Sequence, residues 1–329
     1  MLKSIKANQW WGYHFMVMLG SAYYALYITP ILPPIGAFLA KLTIFTIATI
    51  GIASFGYVIN DLTDVKQDLR SGHYNIMVRH ARLGRCLILV FVVLLGTVPW
   101  IWLPRSPLIL TLLALEYGLF LAYSVPPIRL KTRGLWGPIA DSIYAYVLPG
   151  TIAALVASDG ESGPAFVAYI IAFVAWCFLF GLVGILKHQL FDHSRDRIDK
   201  IRTFVVIRGW DAAFDATVKL ANVTLLAYLL LMTIQGHANL FILLGFCVHL
   251  SWQFFNWNRH AMGATRLSDS VSRPERFHIL YNQIIGDFCW YWQPLLILIL
   301  LSLRSSDYLI LLMAHLLVLP NGIKRMVLE

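Results

Sequence analysis

Long apolar runs separated by short polar segments dominate the chain, and this pattern predicts a bundle of membrane-spanning helices. A transmembrane helix needs about 20 consecutive, mostly apolar residues, and ten runs have or approach that length. The last run is short, so we expect an all-α polytopic fold of nine transmembrane helices, or ten if that run also crosses the membrane. The runs cover residues 12–30, 35–59, 85–103, 107–124, 138–157, 164–187, 213–234, 238–257, 284–303 and 307–321.

The amino-acid composition excludes the soluble, disordered and fibrous classes of protein. Hydrophobic residues make up 59% of the 329 positions, whereas charged residues make up only 13%, about half the share of a typical soluble domain. A soluble domain of this size needs more polar side chains to cover its surface. We therefore expect an integral, multi-pass membrane protein in which residues 1–329 form a single transmembrane domain.

The basic residues follow the predicted loops. A formal net charge of +9 would suggest a nucleic-acid partner in a soluble protein. If the N-terminus is cytoplasmic, however, all but four of the 26 Lys and Arg residues lie on the cytoplasmic side, which is the usual signature of membrane orientation. We therefore predict no nucleic-acid partner and a cytoplasmic face that carries the chemistry. The four exceptions are Lys41, Arg105, Lys219 and Arg304.

The first of two acidic clusters ends the second apolar run. Asn60, Asp64 and Asp68 are spaced i, i+4, i+8, which places them on one face of a helix, and Asp61 lies beside them. Like charges one turn apart repel, and carboxylates beside the bilayer core are costly, so a cation should neutralise this face. Because carboxylate oxygens are the hard ligands that Mg²⁺ prefers, the cluster predicts a magnesium site.

A matching cluster ends the sixth apolar run. Asp192, Asp196 and Asp199 are spaced i, i+4, i+7, again on one helix face, and this cluster would lie on the same side of the membrane as the first. Two opposed faces of this kind would hold a diphosphate between Mg²⁺ ions. Either cluster alone could be a solvated helix end, and the pair could also form the cation or proton path of a transporter.

A basic loop lies between the two clusters in the sequence. The prolines at 126–127 predict an extended exit from the fourth run, and an extended segment would project Arg129, Lys131 and Arg133 to one side. Three cations facing the carboxylates would suit a diphosphate with bound metal. Arg70, two residues after the first cluster, could add another phosphate contact. Plain membrane anchoring is the alternative for this loop.

These three segments together resemble the UbiA superfamily of intramembrane prenyltransferases. That family carries an N-D-x-x-D-x-x-x-D motif, a second D-x-x-x-D motif, and often Y-S-x-x-P-x-R-L-K between them. The order and spacing of the motifs agree, and the resemblance covers roughly residues 10–300. The matching residues are Asn60, Asp61, Asp64 and Asp68, then Tyr123, Ser124, Pro127, Arg129, Leu130 and Lys131, then Asp192 and Asp196.

The resemblance implies both a fold and an activity. The fold would be a helical bundle around a central cavity, with the acidic motifs on cytoplasmic cap segments over its mouth. The activity would be Mg²⁺-dependent transfer of an isoprenyl group from its diphosphate to an aromatic or lipid acceptor within the membrane. One branch of the family instead cyclises the isoprenyl diphosphate, so a terpene cyclase is the first alternative and a cation-coupled transporter the second.

The residue pattern and the resemblance together suggest roles for individual side chains, with Tyr123 expected to stabilise an allylic carbocation. The expected metal ligands are Asn60, Asp61, Asp64, Asp68, Asp192, Asp196 and Asp199. The expected catalytic residues are Asp64, Asp68, Asp192, Asp196 and Tyr123. The expected substrate-binding residues are Asn60, Arg70, Arg129, Lys131, Asp141, Lys187 and Gln189.

Overall fold

The structure is a computed structural model that describes residues 13–72, 75–160, 163–234, 239–263 and 273–318. Helices account for all the regular elements in these ranges, as the apolar pattern predicts. They are α1 (His14–Ile28), α2 (Ile35–Ser71), α3 (Arg82–Thr97), α4 (Pro107–Ser124), α5 (Trp136–Ser142), α6 (Leu148–Ala157), α7 (Pro164–Ile198), α8 (Phe204–Arg208), α9 (Trp210–Ile234), α10 (Asn239–Gly263), α11 (Arg273–Tyr281), α12 (Gln293–Arg304) and α13 (Leu309–Val318).

Seven helical segments within the described ranges are long and apolar enough to cross a membrane, which confirms the prediction of an integral membrane protein. The other three predicted runs form shorter apolar helices, at His14–Ile28, Leu240–Phe255 and Ser306–Leu317. A total of nine or ten spans therefore stays a prediction, as does the cytoplasmic position of the cap segments. The end of the tenth run, 319–321, lies outside the described residues. The seven segments are Ile35–Arg70, Arg82–Ile101, Pro107–Ser124, Trp136–Ala157, Pro164–Ile198, Trp210–Ile234 and Glu275–Arg304.

Helix α1 forms the centre of the bundle. Its residues from Phe15 to Leu26 are all buried, and it packs mainly against α6 and α12. A helix that is apolar on every side lies either in lipid or inside a protein core, and here other helices enclose it. The outer helices behave differently: Leu83, Leu87 and Leu94 of α3 are all more than half exposed, as expected of side chains that face lipid.

Three π-helical turns interrupt the inner helices, at Ile143–Val147, Asn282–Gly286 and Phe288–Trp292. Pro149 and Pro294 follow two of them at the second position of α6 and α12. A proline removes one backbone donor from the helical ladder, which favours a locally wider turn, and such turns are frequent at functional sites. We therefore expect a functional site on the side of the bundle that these wide turns border.

Helices α2 and α3 touch backbone to backbone at two glycines. A Cβ atom added at Gly51 would come within 2.1 Å of the backbone nitrogen of Gly96. Small residues allow this close approach between helices in a membrane, where packing rather than the hydrophobic effect holds helices together. The crossing fixes the position of α2, which carries the first acidic cluster.

We expect Gly51→Ala to lower the free energy of unfolding by about 3 kcal/mol, because the added methyl group forces the two backbones apart. Gly36→Ala on the same helix is the matched control, since a Cβ there meets nothing within 4 Å. Thermal unfolding of both variants in detergent checks this expectation. Equal melting temperatures for the two variants would contradict the proposed crossing.

Candidate active site

A cavity of about 900 Å³ lies inside the bundle. Helix α2 alone lines it from Phe45 to Gln67, a rise of about 30 Å along the helix axis. The stretch from Phe45 to Ile52 gives mainly apolar side chains, whereas Asn60, Asp64 and Gln67 make the other end polar. The cavity thus joins a long, mainly apolar chamber to a charged end.

Both acidic clusters contribute to the charged end. Asp64 reaches the cavity from α2, and Asp192 and Asp196 reach it from α7. The two helices have 37 and 35 residues, and both are longer than the roughly 20 residues that cross a bilayer. Their C-terminal turns therefore extend past the apolar stretch, which brings distant carboxylates to one cavity wall.

Two cations from the loop after α4 hold the carboxylate of Asp64. The Arg129 guanidinium donates to Asp64 Oδ1 at 2.8 Å, and the Lys131 ammonium pairs with Asp64 Oδ2. Lys131 also donates to Asn60 Oδ1 at 2.7 Å, and Arg129 to Gln67 Oε1 at 3.0 Å. All five side chains line the cavity, so the first acidic cluster and the basic loop form one hydrogen-bonded network.

The prediction of an extended basic loop is wrong. Arg129 has a left-handed backbone with φ of 38°, and residues Leu130–Thr132 form a 3₁₀ turn. The turn points Arg129 and Lys131 to the same carboxylate, whereas the Arg133 guanidinium donates to the carbonyl of Pro127. A left-handed conformation in a residue other than glycine costs about 1 kcal/mol or more and tends to occur at functional sites.

The basic loop is tied to the segment that follows α7. The Gly134 N–H donates to the carbonyl of Arg202 at 3.1 Å, and Thr203 then caps the short helix α8. Gln189, buried in α7 and lining the cavity, accepts a hydrogen bond from the Val205 N–H. Gln189 is therefore a cavity residue that also fixes the backbone behind the second acidic cluster.

Burial and charge act in opposite directions on Lys131. Desolvation lowers the pKa of this ammonium, and the neighbouring carboxylate of Asp64 partly restores it. The net shift is downward. A partly desolvated cation interacts more strongly with an anion than an exposed lysine does, because water screens the pair less.

An aromatic wall stands beside the charged network. Tyr144 lies on the first π-turn and donates from its hydroxyl to Asp141, and its ring lies 5.3 Å from the ring of Tyr123. Phe120 also packs against Tyr144, at 4.4 Å between ring centroids. Tyr123 and Asp141, both predicted from the sequence, thus lie on the cavity wall with Tyr144 between them.

Four predicted site residues do not line the cavity: Asp61, Asp68, Arg70 and Asp199. Asp61 is buried and Arg70 is exposed on the last turn of α2. Asp68 accepts a hydrogen bond from the Asn75 amide, which also donates to the backbone carbonyl of Asp61. Asp68 therefore holds the segment after α2 against that helix, and the proposed roles of these four residues stay predictions.

Sequence reasoning missed several partners of the predicted residues. Gln67 lies one turn after Asp64 and Tyr144 one turn after Asp141, so helical spacing could have indicated both. Asn75 and Asn282 had no such signal, because their partners depend on tertiary packing. Asn282, on the second π-turn, accepts a hydrogen bond from Lys187 at 2.6 Å.

The donor set on the cavity wall suits a hard divalent cation. Among the described residues no three His, Cys, Asp or Glu side chains converge as a ready-made metal site. Mg²⁺ needs no such cluster, since it commonly takes one or two carboxylates and fills its other positions with water and phosphate oxygens. Asn60, Asp64, Asp192 and Asp196 offer oxygen ligands on the same cavity, so the residues fit a magnesium ion.

These features define the class of the protein: it is an all-helical membrane bundle in which two acidic clusters line one cavity. The model of the UbiA prenyltransferase family matches residues 13–270, and the chain therefore belongs to this family. The match includes both acidic clusters and the basic loop between them. No match was found among curated proteins.

Solved structures support the same fold. A UbiA homologue from Archaeoglobus fulgidus bound to GPP and Mg²⁺ shares 15% identity with this chain, with a TM-score of 0.58 over 87% of this chain and 96% of that one. The structure of the homologue bound to DMAPP and Mg²⁺ gives 14% identity and a TM-score of 0.60 over the same shares. At this level of identity the likeness establishes the helical architecture alone.

We expect Asn75→Ala to lower the free energy of unfolding by about 2 kcal/mol, since it removes hydrogen bonds from a buried amide to a half-buried carboxylate and to a backbone carbonyl. Thermal unfolding in detergent measures the change. Thr43→Ala serves as the control, because its hydroxyl is exposed and donates to the carbonyl of Leu39 one turn earlier in the same helix. If the Asn75 variant melted no lower than the Thr43 variant, Asp68 would have no structural role of this kind.

Proposed function

We propose that the protein transfers an isoprenyl group from an isoprenyl diphosphate to an aromatic or lipid acceptor, within the membrane and with Mg²⁺. The observation that carries the proposal is the Asp64–Arg129–Lys131 network beside carboxylates of α7, at the charged end of a long apolar cavity. Such a cavity suits a ligand with an ionic head and a hydrocarbon tail. Membership of the UbiA family, and the GPP and DMAPP of its solved homologue, support the same ligand class.

Arg129 and Lys131 would bind the diphosphate. An incoming diphosphate competes with Asp64 for these two cations, and it offers more acceptor oxygens than one carboxylate. The Arg129 Nε atom is buried and has no hydrogen-bond partner among the described residues, although its guanidinium is otherwise engaged. A phosphate oxygen is a suitable partner for that donor, because guanidinium groups bind phosphate through paired hydrogen bonds.

Asn60, Asp64, Asp192 and Asp196 would hold Mg²⁺, which when bound supplies positive charge to stabilise the leaving diphosphate. Asp61, Asp68 and Asp199 remain further candidates from the sequence pattern. Lys131 and Arg129 would stabilise the same leaving group, since fixed cations next to a developing negative charge lower the barrier to departure of the diphosphate. Arg70 would act at longer range, from the exposed end of α2.

Isoprenyl transfer needs both the charged end of the cavity and a chamber that contains little water. The bond between C1 of the isoprenyl group and the diphosphate oxygen breaks, and both electrons leave with the diphosphate. The allylic cation that remains is then attacked by the acceptor, which forms a new bond to C1 and loses a proton. The rings of Tyr123 and Tyr144 would stabilise the cation through their π faces, and Asp141 fixes the hydroxyl of Tyr144.

The active-site face would be cytoplasmic. Most of the Lys and Arg residues lie in the predicted loops on the same side as both acidic clusters, which supports this orientation. A water-soluble diphosphate headgroup would then be released to the cytoplasm. The isoprenyl tail and any lipid acceptor would enter from the bilayer.

Purified protein in lipid nanodiscs, incubated with isoprenyl diphosphates of several lengths, tests this function. We expect diphosphate release that needs both Mg²⁺ and an aromatic or lipid acceptor, and that stops when EDTA removes the metal. Release without acceptor, together with a cyclic product, would establish a cyclase instead. No release from a folded protein under any of these conditions would reject both enzymatic proposals and return the transporter to consideration.

Asp64→Ala and Asp192→Ala should each lower turnover by about a thousandfold, since each removes an oxygen ligand and a charge at the diphosphate end of the cavity. Asp215→Ala provides the control, because Asp215 is exposed on α9 and does not line the cavity. Steady-state diphosphate release measures the effect, and the unfolding temperature shows that each variant is folded. Near-normal turnover in either cavity variant would reject the metal assignment.

A further inference from the structure

A carboxyl group lies in the apolar part of the cavity. Glu116, in the middle of α4, lines the cavity and is only 4% exposed. Within the described ranges no hydrogen-bond donor and no cation pairs with its carboxyl group. An ionisable group inside a membrane is costly without a partner, and such groups commonly mark a substrate position. The proposed transfer reaction gives Glu116 no role.

Glu116 lies well away from the charged end of the cavity. Ser124, eight residues later on the same helix, donates to Asn60 Oδ1 at 3.5 Å, which places Ser124 at the level of the charged network. Eight residues of α-helix rise about 12 Å. A ten-carbon isoprenyl chain that extends from a diphosphate at the charged end spans about 10 Å. Glu116 is therefore level with the far end of such a chain and not with its diphosphate.

The cavity wall between Glu116 and the charged end is aromatic. The ring of Phe120, one turn after Glu116, lies 4.4 Å from the ring of Tyr144, which in turn lies 5.3 Å from the ring of Tyr123. All three residues line the cavity. A ligand that reaches Glu116 from the charged end must therefore present its polar group on an apolar chain, which is the form of an isoprenyl group.

A hydrogen-bond donor lies deeper in the same chamber. The Trp100 ring packs edge-to-face on Phe45 at 6.2 Å between centroids, and Phe45 is the cavity-lining residue of α2 farthest from the charged network. The Trp100 Nε1 atom is buried and has no partner among the described residues. The apolar chamber thus offers both a carboxyl group and an N–H donor. A hydroxyl group suits both, since it donates and accepts, whereas an ammonium group only donates.

We propose that Glu116 binds a hydroxyl group on the far part of the isoprenyl chain, so that the protein prefers an isoprenyl diphosphate with an oxygenated tail. This choice of ligand rests on the proposed transferase function. Either form of the carboxyl group can bond a hydroxyl, because a carboxylate accepts and a carboxylic acid also donates. A hydrocarbon tail would leave Glu116 unpaired, and a site built to bond a hydroxyl discriminates against ligands that lack one.

Equilibrium binding of unreactive analogues tests this preference without turnover. Geranyl thiolodiphosphate and its derivative hydroxylated at the terminal carbon are titrated into the purified full-length protein with Mg²⁺. We expect the hydroxylated analogue to bind the wild-type protein about fivefold more tightly or better, since it gives a buried polar group its hydrogen bond. An isomer hydroxylated next to the diphosphate should show no such gain, because its hydroxyl lies too far from Glu116.

Variants at this position separate hydrogen bonding from general effects on the fold. Glu116→Leu should abolish the preference, because the chamber wall then offers no oxygen at this depth. Glu116→Met has the same expectation and replaces Glu116→Leu if that variant does not fold. Glu116→Gln should keep the preference, since an amide both donates and accepts. Asp215→Leu is the matched control and should change nothing, because Asp215 is exposed on α9 and does not line the cavity.

The outcomes separate this proposal from the transferase function. Equal affinities of the two analogues for the wild type, or a preference that survives in Glu116→Leu and Glu116→Met, would overturn the hydroxyl site and leave the transferase intact. Glu116-dependent binding of phenol, with no effect on the analogues, would assign the hydroxyl to the acceptor and overturn its assignment to the tail.

Binding of geraniol, which carries a hydroxyl but no diphosphate, covers the remaining case. If no diphosphate analogue bound the folded protein, the proposed reaction would be rejected. Geraniol binding that is lost in Glu116→Leu would then still support the hydroxyl site. Geraniol binding that is absent, or independent of Glu116, would overturn the site together with the reaction.

Discussion

The described site depends on the negative charge of the Asp64 carboxylate, which requires a positively charged partner. A charge near the bilayer is tolerated only when a neighbour compensates it, and here the compensation comes from Arg129 and Lys131. Their loop is itself fixed by the hydrogen bond from Gly134 to the segment after α7. One pair of ionic contacts therefore couples α2, the loop after α4 and the end of α7 into a single charged wall.

The apolar part of the cavity depends on local distortions of the inner helices. Wide helical turns at 143–147, 282–286 and 288–292 shift the side chains of the inner helices, and each turn gives at least one residue to the cavity wall. Tyr144 and Asn282 both lie on such turns, where the first bonds Asp141 and the second bonds Lys187. Two groups of polar side chains in one cavity thus arise from local departures from α-helical geometry.

The helical architecture and the acidic clusters follow directly from sequence pattern, because apolar length and i, i+4 spacing are local properties. The conformation of the basic loop does not, since Arg129, with its left-handed backbone, bonds residues 65 and 62 positions away in the sequence. The same limit applies to Asn75 and Asn282, whose partners come from packing. The number of spans stays a prediction where apolar helices are short, as with His14–Ile28.

The burial of α1 has a consequence for the assembly of the protein. This helix precedes the helices that enclose it, because α6 and α12 begin at positions 148 and 293. Until those helices are inserted, the apolar surface of α1 must be covered by lipid or by the insertion machinery. The enclosure of α1 is therefore complete only when α12 is in place, and truncations that remove α12 would expose one side of the central helix.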